Sequence, residues 1–150
     1  EQAKYLVEDK QIIVVPSKTV PQGITALINF APDLTAEENM EQMTEEMSHV
    51  KTGQITYAVR NTSIDGMEIA EGDIMGIGDS GMLAVGKNIE ETAMESLRKM
   101  VELVTIYYGE DVTEEDAEAF CEKARKEFTS CEFECQNGGQ PIYYYMISVE

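Results

Sequence analysis

The hydrophobic pattern of the chain changes its period near residue 53, and this change limits the folds that remain open. Before it, Met40, Met43 and Met47 recur at helical spacing behind a capping box formed by Thr35 and Glu38. After it, apolar and polar residues alternate, which is typical of half-buried strands. We expect the methionine stripe to pack in a core, with a promiscuous binding face as the alternative.

Residues 1–50 are predicted to form a partial α/β unit, the end of a lobe built on a parallel sheet. The continuous apolar run at residues 11–17 favours a strand buried on both faces. Thr19 then caps a predicted helix with Pro21 in its first turn, and Glu1–Val7 resembles the end of another helix. Because a parallel strand needs neighbours, and because all nine methionines are internal, we expect an excised fragment, with a processed chain as the alternative.

Residues 51–150 are predicted to form an antiparallel or mixed α+β lobe with helices on one face of the sheet. An antiparallel meander comes first, and Gly78–Gly81 joins two of its strands in a hairpin. Asn88 and Thr113 cap two helices. The remaining predicted strands are Val104–Gly109, Glu132–Gln136 and Ile142–Val149.

The charge balance removes several classes of function. The chain has 29 acidic and 11 basic residues, a net charge of −18, so it would repel nucleic acids and anionic membrane surfaces. No stretch approaches the roughly 20 apolar residues of a membrane span, and no signal-peptide pattern is found. The acids map to helix starts and solvated faces, so we expect them to steer a basic partner, with an association rate that falls as salt rises.

The motifs that suggest catalysis or metal binding have simpler interpretations. Gly76-Ile77-Gly78-Asp79-Ser80-Gly81 matches G-x-G-x-x-G, but a strand follows it, so we predict a hairpin and no dinucleotide site. His49 is the single histidine and ends a helix. The acids at 110–118 lack the spacing of a calcium loop. We therefore predict no catalytic residue, metal or cofactor in this chain.

The three cysteines are expected to be reduced thiols of a cytoplasmic protein. An odd count does not make a disulfide framework. Cys131 and Cys135 would lie about 13 Å apart on a strand, too far to bridge. Cys121 falls on the apolar stripe of a predicted helix.

Tyrosines and one arginine are the remaining candidates for binding. Tyr107-Tyr108 and Tyr143-Tyr144-Tyr145 lie on predicted strands, where neighbours point to opposite faces, so at least two leave the core face. An interface and packing under a helix are equally open. Arg60 is expected to form a structural ion pair, plausibly with Asp65, rather than to bind an anion.

Four strings carry a resemblance to a known family. They are Val14-Val15-Pro16-Ser17-Lys18-Thr19-Val20-Pro21-Gln22-Gly23-Ile24, Val50 to Arg60 with Ile64-Asp65-Gly66, Val104 to Val112, and Gly138-Gly139-Gln140-Pro141-Ile142-Tyr143. Together they resemble the C-terminal region of the ATP-binding subunit of bacterial fatty acid kinase, a dihydroxyacetone kinase-like protein. The resemblance covers nearly the whole chain.

This resemblance implies a DegV-like fold and a non-catalytic role. It implies that ATP and magnesium bind a separate N-terminal domain, which phosphorylates a fatty acid presented by a DegV-like fatty-acid-binding subunit. The expected partners are that subunit, the rest of the same protein and a second copy of this chain. We take these residues as candidates for partner binding: Arg60, Asp65, Tyr107, Tyr108, Gln140, Tyr143 and Tyr145.

Two other functions stay open from the sequence. The chain could be a lipid- or small-molecule-binding domain with a pocket of its own, which a long apolar cavity would favour. It could also be an enzyme in its own right, a phosphatase or dihydroxyacetone kinase, which would need a nucleotide site.

Overall fold

The computed structural model describes residues 5–6, 9–100 and 104–149. The predicted helix end at Glu1–Val7 therefore lies largely outside the described residues, as does the expected inward side chain of Val101. The chain divides into two compact units, residues 1–50 and 51–150, and each is described by itself.

The described part of the first unit is helical. It contains α1 (Val20–Ile28) and α2 (Ala36–Ser48). The hydroxyl of Thr19 accepts a hydrogen bond from the Gln22 N–H, and Thr35 forms the predicted capping box with Glu38. Both predicted helix starts are confirmed, because each cap satisfies an amide that its helix leaves unpaired.

The strand predicted at residues 11–17 is wrong. These residues have no regular secondary structure, and the described residues of this unit include no strand that could pair with them. An apolar run becomes a strand only where a neighbouring strand accepts its backbone hydrogen bonds. The methionine stripe of α2 is only partly internal, since Met47 is buried while Met40 is 39% exposed.

The second unit is built on a mixed sheet. Its strands occur in the order β5-β4-β1-β8-β6-β7, and β2 and β3 form a separate hairpin. Only the pair β6–β7 is parallel among the described strands. The strands are β1 (Lys51–Tyr57), β2 (Thr62–Ile64), β3 (Met67–Ile69), β4 (Ile74–Gly78), β5 (Gly81–Gly86), β6 (Val104–Tyr108), β7 (Phe133–Asn137) and β8 (Tyr145–Val149).

Two helices, α3 (Ile89–Leu97) and α4 (Glu114–Glu127), cover one face of this sheet. Asn88 and Thr113 cap them as predicted. A Cβ at Gly76 would lie 1.9 Å from the Ser96 hydroxyl, so the missing side chain is what lets α3 approach β4. On the other half of the sheet, the ring of Phe120 stacks on Tyr145 at 4.8 Å. The predicted α+β class, with helices on one face, is confirmed.

The glycine-rich motif at residues 76–81 is a hairpin, as predicted. It joins β4 to β5, and Asp79 at its tip accepts a hydrogen bond from the Thr52 N–H at 2.6 Å. A carboxylate that fixes the neighbouring strand in this way would also repel a phosphate. The motif therefore organises the sheet.

Asp73 ties three segments together at the start of β4, and this connection should depend on pH. Its carboxylate pairs with Lys87 and accepts the Ala70 N–H at 3.0 Å. The hydrogen bond from Lys87, then that from Ala70, lowers the pKa of Asp73 below its ordinary value of 3.8. A carboxyl with a lowered pKa stabilises the folded state above its unfolded pKa, and the contribution is lost as pH falls through the folded pKa.

We therefore expect Asp73→Asn to be less stable than the parent at neutral pH, with the difference shrinking as pH falls below about 4. Urea unfolding at a series of pH values measures it. Glu68→Gln, which removes an exposed carboxylate on β3, is the matched control. A difference between parent and Asp73→Asn that stays constant down to about pH 2 would contradict this role of Asp73.

Candidate functional site

The carboxyl ends of β1, β6 and β7 meet at one end of the sheet, because β1 and β6 both run antiparallel to β8 and β7 runs parallel to β6. The 138–144 loop, which connects β7 to β8, lies at this end. We call the surface formed here the aromatic end. Its residues are Tyr57, Tyr107, Ile142, Tyr143 and Tyr144.

Backbone hydrogen bonds hold the 138–144 loop against β6 and β1. The Gly109 N–H donates to the Tyr144 carbonyl at 2.9 Å, and the Tyr144 N–H donates to the Ile55 carbonyl at 2.9 Å. The Glu110 N–H donates to the Gln140 carbonyl at 3.1 Å. The loop is therefore bonded at both of its ends and is positioned as firmly as a strand.

The side chain of Gln140 completes this arrangement from inside the loop. Its amide nitrogen lies 3.0 Å from the Tyr107 carbonyl and 3.3 Å from the Tyr143 carbonyl, and donates to both. Its Oε1 is buried without a hydrogen-bond partner among the described residues. Gln140 is thus a positioning residue for the loop.

Ile142 has a backbone conformation that its side chain disfavours. Its φ is +75°, and the Tyr143 N–H donates across it to the Pro141 carbonyl at 2.8 Å, as in a γ-turn. A γ-turn with positive φ is rare and strained, above all for a β-branched residue. The hydroxyl of the buried Thr56 donates to the Ile142 carbonyl at 3.1 Å and holds this turn in place.

The strained turn directs an apolar side chain into solvent. The Ile142 side chain is 58% exposed, and Tyr57 and Val59, at and just beyond the end of β1, are 40% and 73% exposed. The rings of Tyr57 and Tyr144 lie 6.3 Å apart at an interplanar angle of 53°. Strain of this kind persists only when surrounding contacts enforce it, and it concentrates at functional sites.

The structure separates the predicted site tyrosines by face. Tyr107 and Tyr143 are half-buried at the aromatic end, whereas Tyr108 and Tyr145 are 8% and 3% exposed and lie in the core under α4. Burial raises the pKa of both core tyrosines, most strongly that of Tyr145. Tyr145 therefore serves the core and offers little surface to a partner.

The expected ion pair between Arg60 and Asp65 does not form. Among the ion pairs of the described residues, none joins these two. Asp65 lies at a left-handed turn with Gly66, and its carboxylate accepts the Met82 N–H at 2.9 Å. Asp65 is thereby tied to the amino end of β5, while the exposed Arg60 follows the carboxyl end of β1.

Sequence reasoning missed three residues of the aromatic end as candidates, namely Tyr57, Ile142 and Tyr144. The sequence pattern places Ile142 at the start of the last strand, but β8 begins at Tyr145. Pro141 is the available signal, because a proline after two glycines favours a turn. The left-handed conformation of Ile142 itself has no signal in the sequence.

The largest cavity among the described residues is a groove of about 690 Å³ between α4, β6 and β7. Its lining includes Glu114, Glu115, Glu118 and Glu122 beside Arg125. So many carboxylates would repel the head of a fatty acid at neutral pH, which disfavours a lipid pocket here. Within the described ranges, no group of three or more His, Cys, Asp or Glu residues could hold a metal ion.

The acids at residues 114–116 form the first turn of α4, as their helix-start pattern predicts. Thr113 Oγ1 donates to the Asp116 carboxylate at 2.7 Å, and the hydroxyl accepts the Asp116 N–H in return. Among the residues that the structure describes, no helix combines the length and the apolar character needed to cross a bilayer.

Comparison with known proteins places the chain among relatives that are much longer. It is 42% identical to Protein YloV of Bacillus subtilis over 148 residues, covering 96% of this chain and 27% of YloV. It is 38% identical to a Staphylococcus haemolyticus protein and 37% identical to a Staphylococcus aureus protein, each over 154 residues, covering 100% of this chain and 28% of the relative. The chain thus spans little more than a quarter of their length.

One protein family matches the chain over residues 1–150, and it comprises the C-terminal regions of proteins like the A subunit of fatty acid kinase. This match covers every residue that carries the aromatic end and both units of the structure. It also agrees with the resemblance that the four sequence strings show. The chain therefore belongs to this family of fatty acid kinase C-terminal regions.

Proposed function

We propose that this chain is the non-catalytic docking region of a fatty acid kinase subunit. In this proposal it binds a DegV-like fatty-acid-binding subunit in the cytoplasm. ATP and magnesium bind a separate N-terminal domain of the same protein, which phosphorylates the fatty acid. The docking region holds the two subunits together, so that the acyl carboxylate reaches that domain.

The observation that carries the proposal is the exposed and strained Ile142 at the aromatic end. A folded domain gains nothing for its own stability from a left-handed isoleucine, so the conformation is explained by what the side chain contacts outside the domain. Tyrosine and isoleucine side chains held on a firm backbone lose little entropy on binding. Such a surface suits the buried centre of a protein–protein interface.

The surroundings of Ile142 fit a hot spot with a rim. Tyr57, Tyr143 and Tyr144 supply large rings with a polar hydroxyl, a type of side chain enriched at interfaces. Arg60 follows β1 at the same end of the sheet and is exposed, which suits a polar rim. The apolar anchor would therefore insert into a pocket of the partner while the tyrosines exclude water around it.

Ile142→Gly tests this role without weakening the fold. Glycine adopts positive φ at no steric cost, so the variant should be at least as stable as the parent. Loss of the anchor should raise the Kd for the fatty-acid-loaded partner by about tenfold or more. Isothermal titration of the loaded partner into the full-length kinase subunit measures the Kd, and urea unfolding measures the stability.

Ile64→Ala is the matched control, because Ile64 is also exposed, at 40%, but lies in the β2–β3 hairpin. It should leave the Kd within about twofold of the parent. An unchanged Kd for Ile142→Gly would overturn the role of Ile142. Full binding by a kinase subunit from which residues 51–150 are deleted would overturn the docking function as a whole.

A further inference from the structure

Cys121 on α4 and Cys135 on β7 face each other across the helix–sheet interface. Cys121 lies one helical turn after Ala117, and both are fully buried. The Cys135 thiol donates to the Ala117 carbonyl at 3.6 Å and forms a side-chain hydrogen bond with Cys121. The two sulfurs are therefore neighbours, on a helix and a strand that the core already packs together.

A small oxidant can reach this pair. Both cysteines line the groove of about 690 Å³ between α4 and β7, and Cys135 is only half-buried. Cys131 is also half-buried, but it follows α4 in a turn, where its sulfur lies 3.8 Å from the Ser130 hydroxyl. All three thiols are free.

We propose that Cys121 and Cys135 are a redox-active pair that closes into a disulfide when the protein meets a peroxide. Cys135, as its thiolate, attacks one oxygen of hydrogen peroxide; the O–O bond breaks, leaving a sulfenic acid and hydroxide, which takes up a proton to become water. The Cys121 sulfur, losing its proton, then attacks the Cys135 sulfur, and the second oxygen leaves as water. The two thiols lose two electrons in total, and the peroxide is reduced to two waters.

The environments of the two thiols decide their order of reaction. Burial raises the pKa of the Cys121 thiol, and its contact with Cys135 adds to the effect. A thiol with a raised pKa is a poor nucleophile at neutral pH, so Cys121 acts second and closes the bond. The closing step should therefore become faster as pH rises.

The disulfide would link residues 121 and 135 and pin α4 to β7, the strand that leads into the 138–144 loop. The bond thus joins the core to the segment that carries Ile142. This inference does not rest on the docking function, since bond formation is measured on the chain alone.

The test treats the folded 150-residue chain with hydrogen peroxide and counts free thiols after denaturation. We expect the count to fall from three to one, and a non-reducing peptide map to show Cys121 joined to Cys135. Dithiothreitol should restore all three thiols. Cys131→Ser is the matched control and should leave the pair able to close, whereas Cys135→Ser should abolish the intramolecular bond.

Several outcomes would overturn the proposal. These are a bond that includes Cys131, oxidation of Cys135 to a sulfinic acid with no bond formed, or a bond that forms only in the unfolded chain. The peptide map of the unsubstituted chain gives the answer even if a variant in the core fails to fold.

Discussion

Replacing Phe120 with alanine is expected to lower the free energy of unfolding of residues 51–150 by about 4 kcal/mol. Phe120 is 1% exposed and stacks on Tyr145, so its ring fills the space between α4 and β8. The substitution removes the transfer free energy of the ring and leaves a cavity, because packed backbone on both sides relaxes only in part. Urea unfolding followed by far-UV circular dichroism measures the loss.

Phe120→Leu and Phe128→Ala are the controls for this prediction. Leucine keeps most of the buried volume, so the loss should be below about 1.5 kcal/mol. Phe128 is half-buried at the end of α4 and lies 6.0 Å from the ring of Phe133, so its removal should cost less than that of Phe120. If Phe120→Ala lost no more than Phe128→Ala, the core would not be centred on Phe120 and Tyr145.

Gly109→Ala is expected to detach the 138–144 loop from the sheet. A Cβ at Gly109 would lie 2.2 Å from the Tyr143 carbonyl oxygen and 2.6 Å from the Gln140 carbonyl oxygen. Both are backbone atoms, so relief requires breaking the hydrogen bonds that hold the loop. We expect a loss of about 2–3 kcal/mol in stability and fast hydrogen exchange at the amides of Tyr143 and Tyr144.

Gly138→Ala is the matched control within the same loop. Its Cβ would meet the Oε1 atom of Gln140 at 2.1 Å, but that atom ends a flexible side chain and can move aside. The loss of stability should therefore stay below about 1 kcal/mol. Equal effects of Gly109→Ala and Gly138→Ala would show that the loop yields as easily as a side chain.

The local structure of this chain could be predicted wherever adjacent residues decide it. Thr19, Thr35, Asn88 and Thr113 each begin a helix, because a side-chain oxygen at that position accepts an amide of the first turn. The hairpin at Gly78–Gly81 was also predictable, since the alternating pattern resumes directly after it. These interactions span only a few residues, so their signal is complete in the sequence.

Predictions failed where a distant partner decides the outcome. The apolar run at residues 11–17 has the pattern of a buried strand, yet the described residues of its unit give it no strand to pair with. Ile142 has the pattern of a strand start, yet a hydrogen bond from Thr56, distant in sequence, holds it in a left-handed turn. Long-range hydrogen bonds override local preference in both directions.

The change of period near residue 53 by itself determined the helical and sheet-forming parts of the chain, because side-chain periodicity follows directly from backbone geometry. The sequence also determined the family, through strings that survive in order. Only the tertiary structure decided which tyrosines reach the surface, since the register of β6 against β8 sends Tyr108 into the core and Tyr107 out of it. It alone set Cys121 beside Cys135 and turned Ile142 outward, because those positions depend on contacts between segments far apart in the chain.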